Sequence, residues 1–132
     1  MSVYAKSPLA VEVINTWTKH NRLFEKRSGF ATMAAYCMAD KKAANEVYIG
    51  FLPLISIEST DERLLVKKAV NWALRSIGKR NRDLNTLAIE TAKSLISSKS
   101  KSAQWIGKDA LRELEQPGVN ILDYPRAKYR PS

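Results

Sequence analysis

The feature that most constrains the fold is a short pattern of residues that returns at a regular interval along the chain. Lys26-Arg27-Ser28-Gly29-Phe30-Ala31 returns in the similar form Lys67-Lys68-Ala69-Val70-Asn71-Trp72. Ala73-Leu74-Arg75 returns in the same way as Ala110-Leu111-Arg112. A period of roughly 40 residues with two helices per unit is typical of α-solenoids, in which neighbouring helix pairs stack side by side. The repeat therefore predicts an all-α chain.

The spacing of apolar residues and prolines divides the chain into helices. Hydrophobic residues recur mainly at helical intervals, and the prolines stand at positions 8, 53, 117, 125 and 131. Helices are predicted near 8–19, 22–39, 43–59, 61–80, 83–97 and 101–115. Pro53 is expected to kink or split the third helix. Thr60 or Asp61 is the expected N-cap of the fourth helix, and Asn81 or Asp83 that of the fifth. The predicted fold is a HEAT-like α-solenoid of about three helix pairs, with a compact six-helix bundle as the alternative.

Prolines and cations set the C-terminal residues apart. Prolines as frequent as those after Gln116 prevent a helix. We expect residues 1–116 to form one helical repeat domain and 117–132 an extended basic tail, fixed by Tyr124 and Tyr129. The cations of this tail can reach along a nucleic-acid backbone. A disordered end is the alternative.

Two of the predicted helices carry the same surface stripe. The spacing i, i+4, i+7, i+11 places each stripe within a narrow arc of its helix. The first stripe is Lys68, Trp72, Arg75 and Lys79, and the second is Lys101, Trp105, Lys108 and Arg112. The apolar residues of the fourth helix lie on the opposite side, so Trp72 is expected to face solvent among cations. Cations suit phosphates and an exposed aromatic ring suits a base or a sugar, which indicates a nucleic-acid partner.

The charge of the chain supports a polyanionic partner. Lys and Arg total 22 against 13 Asp and Glu, a formal net charge of +9. Evenly scattered solubilising charge is the alternative, but residues 63–82 contain cations and no carboxylate. The cations of that segment are Arg63, Lys67, Lys68, Arg75, Lys79, Arg80 and Arg82. Stacking of the repeats would align the two stripes into one basic groove.

Signals for other chemistry are weak. One Cys, one His and scattered glycines give no metal-ligand spacing and no phosphate-binding loop, so neither a metal nor a cofactor is predicted. Asp109 either pairs with Arg112 or faces a substrate. On a helical wheel Arg27 falls among apolar residues, which predicts a packed stem with its guanidinium at the rim. A signal peptide and a membrane span are not recognisable, so a cytoplasmic location and no membrane contact are expected.

Two motifs resemble one known family. Residues 58–63 and 66–81 resemble the penultimate repeat of the bacterial DNA-alkylation-repair proteins, the AlkD-like HEAT-repeat DNA glycosylases. Residues 102–114 resemble the last repeat, and the similarity covers roughly residues 10–115. Members of this family hydrolyse the glycosidic bond of N3- or N7-alkylated purines in DNA. The resemblance therefore implies a basic concave face that holds duplex DNA. Arg27 and Trp72 match a family Arg and Trp that contact DNA near the lesion.

The resemblance also implies what this chain lacks for catalysis. The family uses a Trp and an Asp from an earlier repeat, and the Asp stabilises the cationic sugar as the base departs. We find no matching segment, so the chain resembles the C-terminal half of a family member. We expect a module that binds duplex DNA, alkylated DNA included, and is incomplete for catalysis without a missing N-terminal part or a second chain. The alternatives are a working glycosylase that uses Asp109 and a scaffold that binds acidic peptides.

Overall fold

The computed structural model describes residues 8–122, which form six α-helices and no strand. The helices are α1 (Pro8–Trp17), α2 (Leu23–Ala39), α3 (Asn45–Glu58), α4 (Leu64–Gly78), α5 (Arg82–Ile96) and α6 (Lys101–Leu114). The predicted all-α class is confirmed. Five of the six helices lie within their predicted segments, and α5 begins one residue before its own, so the differences are confined to the ends.

The helices form three successive pairs arranged in two layers. α1 packs on α2, α3 on α4 and α5 on α6, while α2 and α6 both pack on α4 in the second layer. Lys26 near the start of α2 bonds Asp61 just before α4, and Arg80 just after α4 bonds carbonyls near the end of α2. α2 and α4 are therefore parallel. This linear order, with α4 between α2 and α6, fits the predicted HEAT-like α-solenoid better than a closed bundle.

α4 begins later than predicted, at Leu64 instead of residue 61. Its N-cap is Arg63, which makes no side-chain capping bond. Asp61 Oδ1 instead accepts a hydrogen bond from the backbone N–H of Arg63 (3.1 Å), and its other oxygen is 3.0 Å from Lys26 Nζ. The prediction that Thr60 or Asp61 caps this helix was wrong, because Asp61 links the loop to the preceding repeat.

Two other predictions about helix bounds have clear outcomes. Asn81 caps α5, since its Oδ1 accepts from the backbone N–H of Leu84 at 2.9 Å. α3 continues through Pro53 to Glu58, so the helix is not split. The Pro53 ring is exposed on the surface of the molecule.

The core lies between the two layers and orients α4. The six apolar residues predicted for its inner side are all buried: Val66, Ala69, Val70, Ala73, Leu74 and Ile77. At the α5–α6 crossing, a Cβ on Gly107 would lie 2.5 Å from the backbone oxygen of Ala92, so only glycine allows this approach. Because α4 and α6 are held by their inner sides, their opposite sides face solvent together.

Candidate nucleic-acid interface

The two predicted stripes lie on the solvent side of α4 and α6. Trp72 and Trp105 are 41% and 40% exposed, although large aromatic side chains are usually buried. Lys68, Lys101, Lys108 and Arg112 are exposed, while Arg75 and Lys79 are half-buried. The outward orientation predicted from the helical spacing is confirmed. We call the outer surface of these eight residues the cationic face.

Arg75 and Lys79 are held by one carboxylate from the neighbouring helix. Glu113 on α6 lies 3.2 Å from Arg75 Nη1 through Oε1 and 2.9 Å from Lys79 Nζ through Oε2. Arg75 Nε also donates to Asn71 Oδ1 at 2.9 Å. Partial burial acts to raise the pKa of Glu113, but the hydrogen bonds from Lys79 and Arg75 outweigh it and lower that pKa. Glu113 is therefore ionised at neutral pH and offsets part of the charge of α4.

Lys67 and Trp105 form a second link between α4 and α6. Lys67 Nζ lies 5.1 Å from the centroid of the Trp105 ring, within the range of a cation–π interaction. Lys67 is half-buried. This predicted site residue therefore holds the ring of Trp105 in place at the edge of the cationic face.

Asp109 pairs with Arg112, which is one of the two roles considered for it. The distance from Arg112 Nη2 to Asp109 Oδ1 is 2.7 Å, and the pair spans one turn of α6. The Arg112 side chain remains 71% exposed, so it can still approach a phosphate. An ion-paired Asp109 is a weak candidate for a catalytic carboxylate, because its charge is already compensated.

Arg80 does not lie on the cationic face. It is only 1% exposed and donates from Nη1 to the backbone oxygens of Cys37 and Asp40. Its guanidinium stacks over the ring of Tyr48, 4.0 Å from the centroid. Assigning Arg80 to DNA contact was wrong for a physical reason: it binds carbonyls at the C-terminal end of α2, where a cation also complements the helix dipole.

The position of Arg27 on α2 differs from the one that the helical wheel predicts. Arg27 is exposed, whereas its neighbour Lys26 is buried. Arg27 and Met38 are spaced like Lys68 and Lys79, and Met38 borders a cavity beside Trp72. Arg27 therefore lies on the same side of the molecule as the cationic face. The inner position at this turn of α2 belongs to Lys26.

The partners of Lys26 explain its burial, which sequence reasoning missed. Its Nζ lies 2.6 Å from Glu58 Oε1 and 3.0 Å from Asp61 Oδ2. Hydrogen bonds from Arg63 and then Lys26 lower the pKa of Asp61 far below its usual value. Burial alone would lower the pKa of Lys26, but the two carboxylates raise it. The only signal in the sequence was the carboxylate pair at the end of the following helix.

Residues after α6 turn back toward the cationic face. The backbone N–H of Leu122 donates to the carbonyl of Lys79 at 2.6 Å. Asn120 and Leu122 border a cavity of about 270 Å³ beside Trp72 and Arg75. The predictions for Tyr124, Tyr129 and the tail cations fall outside the described residues.

The described part of the chain offers little for other chemistry. Between residues 8 and 122, no three His, Cys, Asp or Glu side chains come together as metal ligands. Within the same range, no helix is long and apolar enough to cross a membrane. Burial raises the pKa of the Cys37 thiol to about 12, so this cysteine is not a nucleophile at neutral pH.

A sequence comparison decides the family. The model of the family described as DNA alkylation repair enzyme matches residues 1–114. The chain belongs to this DNA alkylation repair family. Among the curated proteins and the solved structures, none matches the chain.

The family match also divides the cationic face from the segment beside it. The match ends at Leu114, the last residue of α6, so α4 and α6 with both stripes lie inside it. Asn120 and Leu122 lie beyond it. One wall of the cavity beside Trp72 therefore comes from outside the matched residues.

Proposed function

We propose that the cationic face, with Arg27 beside it, binds duplex DNA in DNA alkylation repair. One observation carries the proposal: two tryptophans, each about two-fifths exposed, stand among cations on adjacent helices. Lysine and arginine side chains attract phosphates, and an exposed indole ring offers a surface for a sugar or a base. The family membership supports DNA as the partner.

Binding of this kind has weak sequence preference. The cations are of the phosphate-contacting type, and phosphate contacts position a protein on DNA without reading its sequence. The side chains proposed for DNA contact are Arg27, Lys68, Trp72, Arg75, Lys79, Lys101, Trp105, Lys108 and Arg112. Lys67 contributes by holding Trp105, and Arg80 takes no part because it is buried.

We further propose that the chain by itself does not excise alkylated bases. An alkylated purine is already a good leaving group, so the enzyme must stabilise the positive charge that develops on the sugar. That task needs a carboxylate facing the sugar. On the cationic face, within residues 9–122, Asp109 is paired with Arg112 and Glu113 with Arg75 and Lys79. The missing carboxylate would come from another segment or from a second chain.

A salt titration tests the binding proposal. The affinity for a short duplex is measured from about 0.05 to 0.3 M salt. It should fall steeply as the salt concentration rises, because binding of the protein releases counterions that were condensed on the DNA. Lys108→Ala should weaken binding and flatten the salt dependence. Lys93→Ala is the matched control, since Lys93 is exposed on α5 in the other layer. A flat salt dependence, or tighter binding of an acidic peptide than of DNA, would favour the interaction-scaffold alternative.

A base-release assay tests the catalytic proposal. Free N7-methylguanine and N3-methyladenine are measured after incubation with methylated duplex DNA, for the parent chain and for Asp109→Asn. We expect little release from either protein even where DNA is bound. Robust release by the parent that disappears in Asp109→Asn would make the chain a glycosylase with Asp109 as its carboxylate.

A further inference from the structure

An apolar groove runs between α3 and α5, in the layer opposite the cationic face. Asn81 Nδ2 at the start of α5 donates to Asn45 Oδ1 at the start of α3 (2.8 Å), so the two helices begin side by side. Both helices then border one cavity of about 380 Å³ over roughly two helical turns. The residues that line it are Ile49, Leu52, Pro53 and Ser56 from α3 and Leu87, Glu90, Thr91 and Ser94 from α5.

α3 exposes apolar side chains beside this groove. Ile49 is 42% exposed, Ile57 is 66% exposed, and Pro53 between them is also exposed. Intervals of four residues place all three on one side of the helix. α3 has no charged residue between Glu46 and Glu58, although the solvent side of a surface helix is usually polar. An apolar strip of this kind on a globular domain indicates a surface that another molecule covers.

The dimensions of the groove suit one face of a helix. Leu52 and Leu87 are the more buried residues of its lining, whereas Ile49 and Glu90 are exposed on opposite edges. The side-chain ridge of a third helix packs into such a groove between two helices. A cavity of about 150 Å³ holds one benzene molecule, so about 380 Å³ has room for about two apolar anchors. Anchors four residues apart on a helix are separated by about 6 Å, which fits a groove roughly 10 Å long.

The charge at the groove is negative, although the chain is cationic. Among the described residues that line the cavity, only Glu90 is charged, and it has no ion pair within the described part of the chain. Lys93 on the same helix lies toward α6, where its Nζ is 4.0 Å from Glu115. A helix that fills the groove therefore gains from a Lys or Arg opposite Glu90. In a symmetric contact with a second copy, two such glutamates would face each other, which lowers affinity.

We propose that the groove between α3 and α5 binds an amphipathic helix of a partner protein, with two apolar anchors four residues apart and a basic residue facing Glu90. In this mode of recognition, the apolar anchors supply affinity, and the charge sets specificity and orientation. The site goes beyond the proposed DNA contact and leaves the cationic face free, since no residue of the groove belongs to α4 or α6. The chain can then hold DNA on one layer and a protein on the other.

The test uses a synthetic Ala-based helix with two leucines four residues apart and one Lys beside them. It has about 15 residues and a side-chain staple, because short isolated helices are marginally stable in water. One matched peptide carries Glu in place of the Lys, and another carries Ala in place of both leucines. Fluorescence anisotropy measures the affinity of each labelled peptide. We expect the Leu/Lys peptide to bind about tenfold more tightly than the Ala peptide, and several-fold more tightly than the Glu peptide.

Two variants of the chain test the groove itself. Glu90→Lys should reverse the charge preference, so that the Glu peptide binds more tightly than the Lys peptide. Glu12→Lys is its matched control, since Glu12 is exposed on α1 in the same layer, and it should keep the preference of the parent. Ile49→Gln should weaken binding of the Leu/Lys peptide about fivefold. Leu9→Gln should not, although Leu9 is 50% exposed on α1. Thermal unfolding verifies that all four variants are folded.

Three outcomes would overturn the proposal. The first is equal affinity of the parent for the Leu/Lys and Ala peptides. The second is an unchanged charge preference in Glu90→Lys. The third is dimerisation of the parent in analytical ultracentrifugation that Ile49→Gln abolishes, which would assign the groove to a second copy of the chain.

Discussion

The outer sides of α4 and α6 carry the same spacing of cations and tryptophan but differ in how much charge they present. On α4, Arg75 and Lys79 share Glu113, and residues after α6 cover the end of the helix at Lys79. On α6, Lys101 and Lys108 are exposed and have no ion-pair partner among the described residues, and Arg112 is paired only at the surface. The effective positive charge is therefore greater on α6.

The difference arises from the geometry of stacking. Glu113 follows Arg112 by one residue, so it points about 100° away from the stripe of α6 and toward α4. α4 has a neighbour on each side in its layer, whereas α6 is the last helix described. A stripe in the middle of a repeat array meets partners from the next repeat, and a terminal stripe does not. α4 thus provides a rigid, partly neutralised surface and α6 an open cationic one.

The largest expected changes in stability and in DNA binding come from substitutions on the two opposite sides of α4. Leu74→Ala removes a fully buried side chain and should lower the free energy of unfolding by about 2–5 kcal/mol. Trp72→Ala should cost much less stability and weaken DNA binding strongly, because its ring is on the cationic face. Thermal unfolding and DNA titration of both variants provide the check. Unfolding of Trp72→Ala at ordinary temperature would mean that Trp72 belongs to the core.

Much of this architecture was predictable from the sequence, because it depends on local spacing. The apolar side of α4, the outward tryptophans and the Asn81 cap follow from helical periodicity and capping chemistry. The inward turn of Lys26 and Arg80 was not predictable in the same way. Each is buried by partners that are distant in the sequence, Glu58 and Asp61 for Lys26 and the Cys37 carbonyl for Arg80. A helical wheel contains no such information.

The candidate site shows the same limit. The eight residues of the cationic face were identified from their spacing, but the neutralising role of Glu113 and the return of Leu122 to Lys79 come from tertiary packing. The sequence repeat aligns Arg27 with Lys68, and this relation would have placed Arg27 outward. The helical wheel of α2 alone predicts that Arg27 lies on the inward side.

The second prediction compares the two stripes directly. The double variant Lys101→Ala, Lys108→Ala should lower the magnitude of the salt slope of DNA binding by about 2, one for each lost phosphate contact. The double variant Arg75→Ala, Lys79→Ala should lower it by less, because Glu113 already offsets those charges. Salt titrations of the two proteins measure both slopes. Equal reductions of the salt slope in the two double variants would show that Glu113 does not offset the charges of Arg75 and Lys79.

The third prediction removes the neutralising carboxylate. Glu113→Gln frees Arg75 and Lys79 and should raise DNA affinity several-fold at low salt, with a steeper salt dependence. The cost in stability should be less than about 1 kcal/mol, since the three side chains are each about one-third exposed. Weaker binding by this variant would mean that Glu113 acts mainly by orienting Arg75.

The pH dependence of that variant follows from the lowered pKa of Glu113. An acid whose pKa is lowered by folding stabilises the fold fully above its ordinary pKa, near 4.5, and this contribution is lost as the pH falls through the lowered value. Stability measured from pH 7 to pH 3 should therefore fall less in Glu113→Gln than in the parent. An identical fall in both proteins would argue against the ion pairs.

The smallest change in stability and in DNA affinity is expected from removing the charge of Asp109, the carboxylate beside the α6 stripe. Asp109→Asn breaks an exposed pair one helical turn long, which should change the free energy of unfolding by no more than about 0.5 kcal/mol. It frees only Arg112, whose side chain already extends into solvent, so DNA affinity should rise by less than in Glu113→Gln. Titrations of both variants in parallel at low salt give the comparison. A larger gain from Asp109→Asn would place the main electrostatic restraint on α6 and reverse the order of the two stripes.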